Sequence, residues 1–248
     1  MLPFNPTSGN TLNILGVSIN FLDYQEMLNL IRSALETNHQ LSICYANTNT
    51  LNFCYKNPQF KEILAGFNLV HPDGRGIYLA SRFLHNEKSR DEIITGSDFY
   101  PILWNEIANK SLSVFLFGDS EITLKLISQK HKNIKISGSV SGFNYSSEYV
   151  VDKINKTKPD ILLVGLGTPR QEEWIYHNLR LINCKIILAV GDGLKVLSGT
   201  KIRGPYVMRK LGFEWFFRLI NEPKRLWRRY ILGNPLFLFR IIMQKIKG

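Results

Sequence analysis

The sequence predicts an α/β protein, a doubly wound and mostly parallel sheet with a helical, basic C-terminal appendage, and three observations support this. Short apolar or β-branched runs alternate with helix-period segments up to Gly199. Most of these runs are closed by Gly, Asn or Pro, as strands are. Beyond Gly199 no strand candidate remains, and Gly204-Pro205, Pro223 and Gly233-Asn234-Pro235 punctuate helical periodicity.

The strand candidates, in order, are Asn13–Leu15, Leu41–Ala46, Leu69–His71, Ser113–Gly118, Ile134–Val140, Asp160–Gly165 and Lys185–Val190. Each is short and apolar, as a strand buried on both faces must be. Between them lie helix-period segments at Tyr24–Glu36, Gly96–Asn109, Thr123–His131, Tyr149–Lys156 and Pro169–Leu181, with Asp98, Ser120 and Thr168 as N-cap or first-turn residues. Alternation of this kind predicts a Rossmann-like sheet whose ligands bind beyond the carboxyl ends of its strands. Residues 1–199 are expected to form the catalytic domain and residues 200–248 a membrane- and donor-contacting appendage. Leu236, Phe239, Met243 and Ile246 fall on one face of the last helix and Arg240, Gln244 and Lys247 on another. That pattern fits an amphipathic surface helix, and equally a helix packed on the core with a solvated basic face.

The chain of 248 residues, 44% hydrophobic, is long enough to bury a full core. Its net charge is +11, and after Gly199 twelve basic residues face only two acidic ones, so the body is nearly neutral. A basic tail attracts anionic lipid, diphosphate or nucleic acid. Nucleic acid is disfavoured because no basic track extends over the body and the tail's aromatics fall at core-facing helical spacing. Cys44, Cys54 and Cys184 form no CxxC pair, which predicts buried free thiols in a reducing compartment. The N-terminal residues lack a basic segment followed by an apolar run, so export is not expected. Asn234, Pro235 and Arg240 interrupt the apolar stretch Ile231–Met243, which falls short of the ~20 residues a spanning helix needs.

Four segments can carry chemistry. His71-Pro72-Asp73-Gly74-Arg75-Gly76 follows a strand candidate, where Asp73 either accepts a proton from a hydroxyl or merely shapes a turn. In Gly165-Leu166-Gly167-Thr168-Pro169-Arg170-Gln171-Glu172, glycines allow close approach and a helix start can offer N–H groups to a phosphate, with Arg170 and Gln171 beside it. The third glycine of a dinucleotide fingerprint is missing, so a nicotinamide enzyme is disfavoured. In Gly191-Asp192-Gly193, Asp192 can bind a sugar hydroxyl or cap the turn; in Gly118-Asp119-Ser120 the turn reading leads. In the appendage, Arg225, Arg228 and Arg229 are free to fork onto diphosphate oxygens. No metal-ligand spacing and no DxD element stands out, so no metal and no other cofactor is expected.

These segments, taken in order, resemble the WecG/TagA/CpsF family of bacterial glycosyltransferases from about Leu12 to Phe237. The resemblance rests on Asn47 followed by Asn57-Pro58, Pro72 through Gly76, Thr95-Gly96-Ser97-Asp98, Phe115 through Gly118, Pro159-Asp160 through Gln171-Glu172, and Leu211 through Tyr230. It implies inverting, metal-independent transfer of a hexose, N-acetylhexosamine or uronic acid. The donor is a UDP-sugar, the acceptor a polyprenyl-diphosphate-linked saccharide at the inner face of the cell membrane, and the product a surface or secreted polysaccharide. Asp73 matches the family's catalytic base and Gln171 a polar active-site residue. The expected substrate-binding set is Tyr45, Asn47, Arg75, Gly118, Gly167, Arg170, Glu172, Gly191, Asp192, Gly193, Arg203, Arg218, Arg225 and Arg228. The expected partners are the two substrates, an anionic membrane surface and further copies of the chain, with no nucleic acid. Two departures bear on donor choice: Tyr45 stands where relatives often carry Thr, and the segment from Gly193 to Gly199 is shorter and lacks a Phe-Asp pair, with Lys195 and Val196 there.

Overall fold

The computed structural model describes residues 11–37, 39–85, 95–202, 204–205, 208 and 214–247. The chain begins with a hairpin, β1 (Thr11–Ile14) and β2 (Val17–Asn20), paired antiparallel. Its turn places Leu15 at φ 53° and Gly16 at φ 79°, the two positive angles that a tight hairpin turn requires. Helix α1 (Tyr24–Thr37) leads into β3 (Leu41–Ala46), then α2 (Thr48–Lys56), α3 (Pro58–Ala65), β4 (Leu69–Pro72) and α4 (Arg75–His85). The order continues with α5 (Gly96–Asn109), β5 (Ser113–Gly118), α6 (Glu121–Lys130), β6 (Lys135–Val140), α7 (Ser147–Thr157), β7 (Ile161–Gly165), α8 (Arg170–Asn178), β8 (Ile186–Ala189) and α9 (Gly193–Ser198).

Strands β3 to β8 form one six-stranded sheet in the order β4-β3-β8-β7-β5-β6, every pair parallel, as the alternating pattern predicts. One face carries Cys44, Ala46, Phe115, Phe117, Leu162, Val164 and Ile187; the other carries Ile43, Tyr45, Val114, Leu116, Ile161, Leu163 and Leu188. Helices cover both faces, which is why these strands read as unbroken apolar runs. The chain leaves β3 towards β4 at one edge and β5 towards β6 at the other, so the crevice lies over the carboxyl ends of β3, β8 and β7.

Beyond the sheet come α10 (Glu214–Asn221), α11 (Pro223–Trp227), a π-helical turn (Arg228–Leu232) and α12 (Gly233–Lys247). The change of composition near residue 199 does not separate two cores, because Phe237 and Ile241 of α12 join the cluster of Phe115 and Leu162. Helix α12 turns much of its apolar face outward, as the surface-helix reading expects and the core-packed reading does not, but Arg240 of the opposite face is buried instead of solvated. Its buried residues are Phe237, Arg240 and Ile241, whereas Phe239, Ile242 and Ile246 are 60%, 48% and 72% exposed.

The polar face turns inward because the body supplies it with partners. Arg240 Nη1 donates to the Asn52 carbonyl at 3.0 Å and to Asn52 Oδ1 at 2.7 Å, with its guanidinium 4.2 Å from the Tyr55 ring centroid. Asn52 Nδ2 donates to the Gly233 carbonyl at 2.7 Å, and Gln244 Oε1 accepts the Leu15 N–H at 2.8 Å. No helix among the described residues is long and apolar enough to cross a membrane.

Candidate active site

Asp73 follows β4 directly. Its backbone N–H donates to the Ala46 carbonyl of the neighbouring strand at 2.8 Å, which sets the carboxylate at the sheet's edge. Asp73 Oδ1 accepts the Gly96 N–H at 3.3 Å, from the first turn of α5. A helix start has N–H groups without helical partners, and the Asp73 carboxylate meets one of them. Beneath lies His71, fully buried, with ring nitrogens 2.9 Å from the Pro72 carbonyl and 3.0 Å from that of Leu22. Burial pulls its pKa down, against those two contacts and the Asp73 charge.

Four basic side chains converge on this edge. Lys201 Nζ lies 3.4 Å from Asp192 Oδ2, after β8, and Lys195 Nζ 3.6 Å from Asp119 Oδ2, after β5. Arg218 of α10 is bonded through Nε and Nη2 to Glu214 Oε1, and Arg225 of α11 to Glu222. Burial alone would raise the Asp192 carboxyl, but Lys201, Lys195, Arg225 and Arg218 outweigh it and hold it below its usual range. Burial and the neighbouring Arg218 pull Lys201 below the usual lysine range, although Asp192, Asp73 and Glu214 oppose them. Burial works against the Arg218 charge too, yet Glu214, Tyr230 and Asp73 keep it firmly protonated. Strand ends supply the carboxylates, and the segment after α9 supplies most of the cations.

Around the predicted phosphate loop the arrangement differs from the expectation. Gln171, 4% exposed, accepts the N–H groups of Gly167 at 3.2 Å and Gly191 at 2.9 Å on Oε1, so these are not turned towards a ligand. The Gln171 N–H is itself bonded to the Gly167 carbonyl, and Arg170 Nη2 folds back onto the Leu166 carbonyl at 2.9 Å. Gln171 therefore braces the turns after β7 and β8, and the groups that can meet an anion are the basic side chains. Thr168 does not cap α8: its hydroxyl donates to Glu172 Oε1 at 3.0 Å. Glu172, expected at the substrate, has no exposed surface.

The remaining expected residues divide by role. Gly167 has open space where a side chain would project, and so does Gly74, whereas a Cβ on Gly118 would collide with the Gly165 carbonyl and one on Gly193 with the Tyr100 ring. Asn47 caps α2 through Oδ1 bonds from Asn49 and Thr50 N–H at 3.1 Å each. Tyr45 is buried, its hydroxyl meeting Met27 Sδ at 3.8 Å and its ring edge-on to Tyr100, so it supports the floor below Asp73 instead of reaching into the crevice. Arg75 is exposed at the start of α4, Arg228 is exposed beside the Trp227 ring, and Arg203 lies outside the described residues. Asp119, at φ 55°, accepts from Ser120 N–H and the Thr123 hydroxyl, which agrees with the turn reading. The three thiols are buried and unpaired, and burial pushes Cys54 and Cys184 up to about 12.

Sequence reasoning missed Lys201 as a site residue, counting it only as tail charge. Its one local signal is a lysine two residues beyond Gly199, whose φ of 83° ends α9 and turns the chain back over the crevice.

The family described as Glycosyl transferase WecG/TagA/CpsF matches residues 12–248. The chain is also similar to curated relatives from Staphylococcus aureus strains MRSA252 and MW2, each named N-acetylglucosaminyldiphosphoundecaprenol N-acetyl-beta-D-mannosaminyltransferase. Both are 28% identical over 242 residues, 95% of this chain and 94% of the relative. A match over nearly the whole length, on a parallel α/β sheet with its chemistry gathered at one edge, makes this chain a member of the WecG/TagA/CpsF family of glycosyltransferases.

Proposed function

We propose that this glycosyltransferase moves a sugar from a UDP-sugar to a polyprenyl-diphosphate-linked saccharide, with inversion and without a metal, in building a surface or secreted polysaccharide. The observation that carries the reading is the opposition of Asp73, held at the start of α5, to the Lys201 and Arg218 cations within its electrostatic reach. Asp73 takes the proton of the acceptor hydroxyl as its oxygen attacks the anomeric carbon, and the bond to UDP breaks on the opposite side of that carbon. Lys201, Arg218 and Arg225 are the groups suited to the charge that develops on the leaving diphosphate. Those cations supply the positive charge for which other transferases use a divalent ion. The S. aureus relatives are named for an N-acetylmannosaminyl group and an N-acetylglucosaminyl-diphosphoundecaprenol acceptor, which makes an N-acetylhexosamine the first donor to test.

Work on a lipid-linked acceptor calls for peripheral attachment to the inner face of the membrane. The outward side of α12, with Phe239, Ile242 and Ile246 exposed, suits that task.

The test is UDP release from a panel of UDP-sugars with EDTA present, with and without a short-chain polyprenyl-diphosphate saccharide. Acceptor-dependent release from one donor is expected. Failure to release UDP from any donor would sink the reading, and release abolished by EDTA would sink its metal independence.

A further inference from the structure

Glu172 is a carboxyl sealed inside the protein, with no ion pair among the described residues. Its Oε1 accepts from Gln171 Nε2 at 2.8 Å and from the Thr168 hydroxyl at 3.0 Å, while its buried Oε2 has no hydrogen-bond partner among the described residues. An amide side chain has two ends, and Oε1 of Glu172 accepts only from the NH₂ end. With Nε2 committed downward, Gln171 Oε1 faces the Gly167 and Gly191 N–H groups. A flipped amide would set its NH₂ against both of those donors and leave all of them unsatisfied, at a cost of about 1–3 kcal/mol for each buried group. The two glycines stand at φ 78° and 50°, in turns that follow adjacent strands of the sheet.

We propose that Glu172 is a positioning residue of the active site: its carboxyl sets the direction of the Gln171 amide and, through that amide, the spacing of the Gly167 and Gly191 turns that border the crevice. The chain of contacts runs from an acid with no solvent access to the two loops carrying Thr168 and Asp192. The acid touches no substrate.

Its charge has a second effect. Burial lifts the Glu172 carboxyl to about 7, against the bonds from Gln171 and Thr168 and with the Glu173 charge. The other titratable groups in its field are the thiols of Cys44 on β3 and Cys54 on α2 and the phenol of Tyr100 on α5, all raised first by burial. Through Gln171 the carboxyl stands one side chain below the Gly191 turn that carries Asp192, so above neutral pH one more negative charge lies beneath that turn and a diphosphate binds there less well.

Glu172→Gln keeps a carbonyl acceptor for Gln171 Nε2 and cannot ionise, whereas Glu172→Leu fills the space with no acceptor. Hydrogen exchange over Gly165–Gln171 and Ala189–Gly193 in the ligand-free protein should be about fivefold to tenfold faster in Glu172→Leu, the loss of a typical hydrogen bond, and near the native rate in Glu172→Gln. Equal exchange in all three proteins overturns the positioning role. The second measurement rests on the UDP-sugar reading. The native KM for the donor should rise roughly threefold to tenfold from about pH 6 to about pH 8 with kcat little changed, and should stay flat in Glu172→Gln. A purely structural Glu172 would leave that difference absent, and the same rise in both proteins overturns the charge effect. If Glu172→Leu fails to fold, Glu172→Ala, which also removes the acceptor, takes its place in the exchange comparison, and the Glu172→Gln pH profile still judges the charge effect. If the native protein turns over no donor, the functional reading fails while exchange still judges the positioning role.

Discussion

Lys201 Nζ sits 3.4 Å from Asp192 Oδ2, joining the segment that leaves the α/β body to the carboxyl end of β8. The ammonium is largely buried and lies between Asp192, Arg218 and the field of Asp73. A charge-assisted hydrogen bond is worth about 1.5–3 kcal/mol, so Lys201→Met should lower kcat/KM for the donor about tenfold to a hundredfold, and Lys201→Arg should recover part of the loss. Steady-state kinetics decide it, and a loss under about twofold would remove Lys201 from the site.

Asp73→Asn keeps the shape and the Gly96 contact but cannot accept the acceptor's proton. General-base catalysis contributes ~10²–10⁴-fold, and kcat should fall by that factor while donor binding, measured by calorimetry, stays near native. A fully active Asp73→Asn protein would take the role from Asp73.

Gly118 closes β5 and Gly167 follows two residues after β7, yet their surroundings differ. A methyl on Gly118, at φ 127°, would press into the Gly165 backbone, whereas Gly167, at φ 78°, has open space around it. Gly118→Ala should cost about 3 kcal/mol or more of stability, from strain and overpacking together. Gly167→Ala should cost only about 1–2 kcal/mol from its backbone angle and weaken donor binding. Urea unfolding separates the two; equal losses would contradict the packing.

Glu172 also links stability to pH. Its carboxyl moves from 4.5 to about 7 on folding, so between those values the folded state holds a proton that the unfolded chain has released. The stability it contributes is complete below the unfolded value and is lost as pH rises through about 7, some ~3 kcal/mol at most. Urea denaturation near pH 5 and near pH 8 should show the native protein losing about that much relative to Glu172→Gln. Parallel behaviour of the two proteins would contradict it.

The two sides of α12 give opposite predictions. Arg240→Ala would strand the buried Asn52 acceptors and should destabilise the fold by about 3 kcal/mol. Phe239→Ser with Ile242→Ser, on the outward side, should leave Tm nearly unchanged and reduce flotation with anionic liposomes severalfold. Undiminished flotation would rule out this side as the lipid contact.

Most of the sheet was legible because five of its six strands are fully buried: Leu41–Ala46 and Ser113–Gly118 have the limits their apolar runs predict. Helix α5 likewise runs from Gly96 to Asn109, as its pattern predicts. Strand β2 went unseen, being four residues long and half exposed, and so did α2 and α3, because Asn57 ends one helix and caps the next, which reads as a turn. The glycine segments and Asp73 do follow the carboxyl ends of strands, as expected, since strand ends carry their own signals. The jobs of Gln171, Glu172 and Lys201 were not legible, because each depends on partners brought in by folding. Amphipathic spacing divides α12 into two sides but does not say which is inside. Asn52, 188 positions away, decides that.

The bond from the Leu15 N–H to Gln244 Oε1 joins residues 229 positions apart. A ribosome adding about 5–20 residues per second makes the first of these roughly 10–50 s before the second. For that interval the opening hairpin lacks its helical cover, and for most of it Arg218, which lies in the field of Asp73, does not yet exist. A chain that stalls late in translation thus carries Asp73 without its full set of cations, and quality control meets an uncovered hairpin on a transferase whose site is not yet assembled.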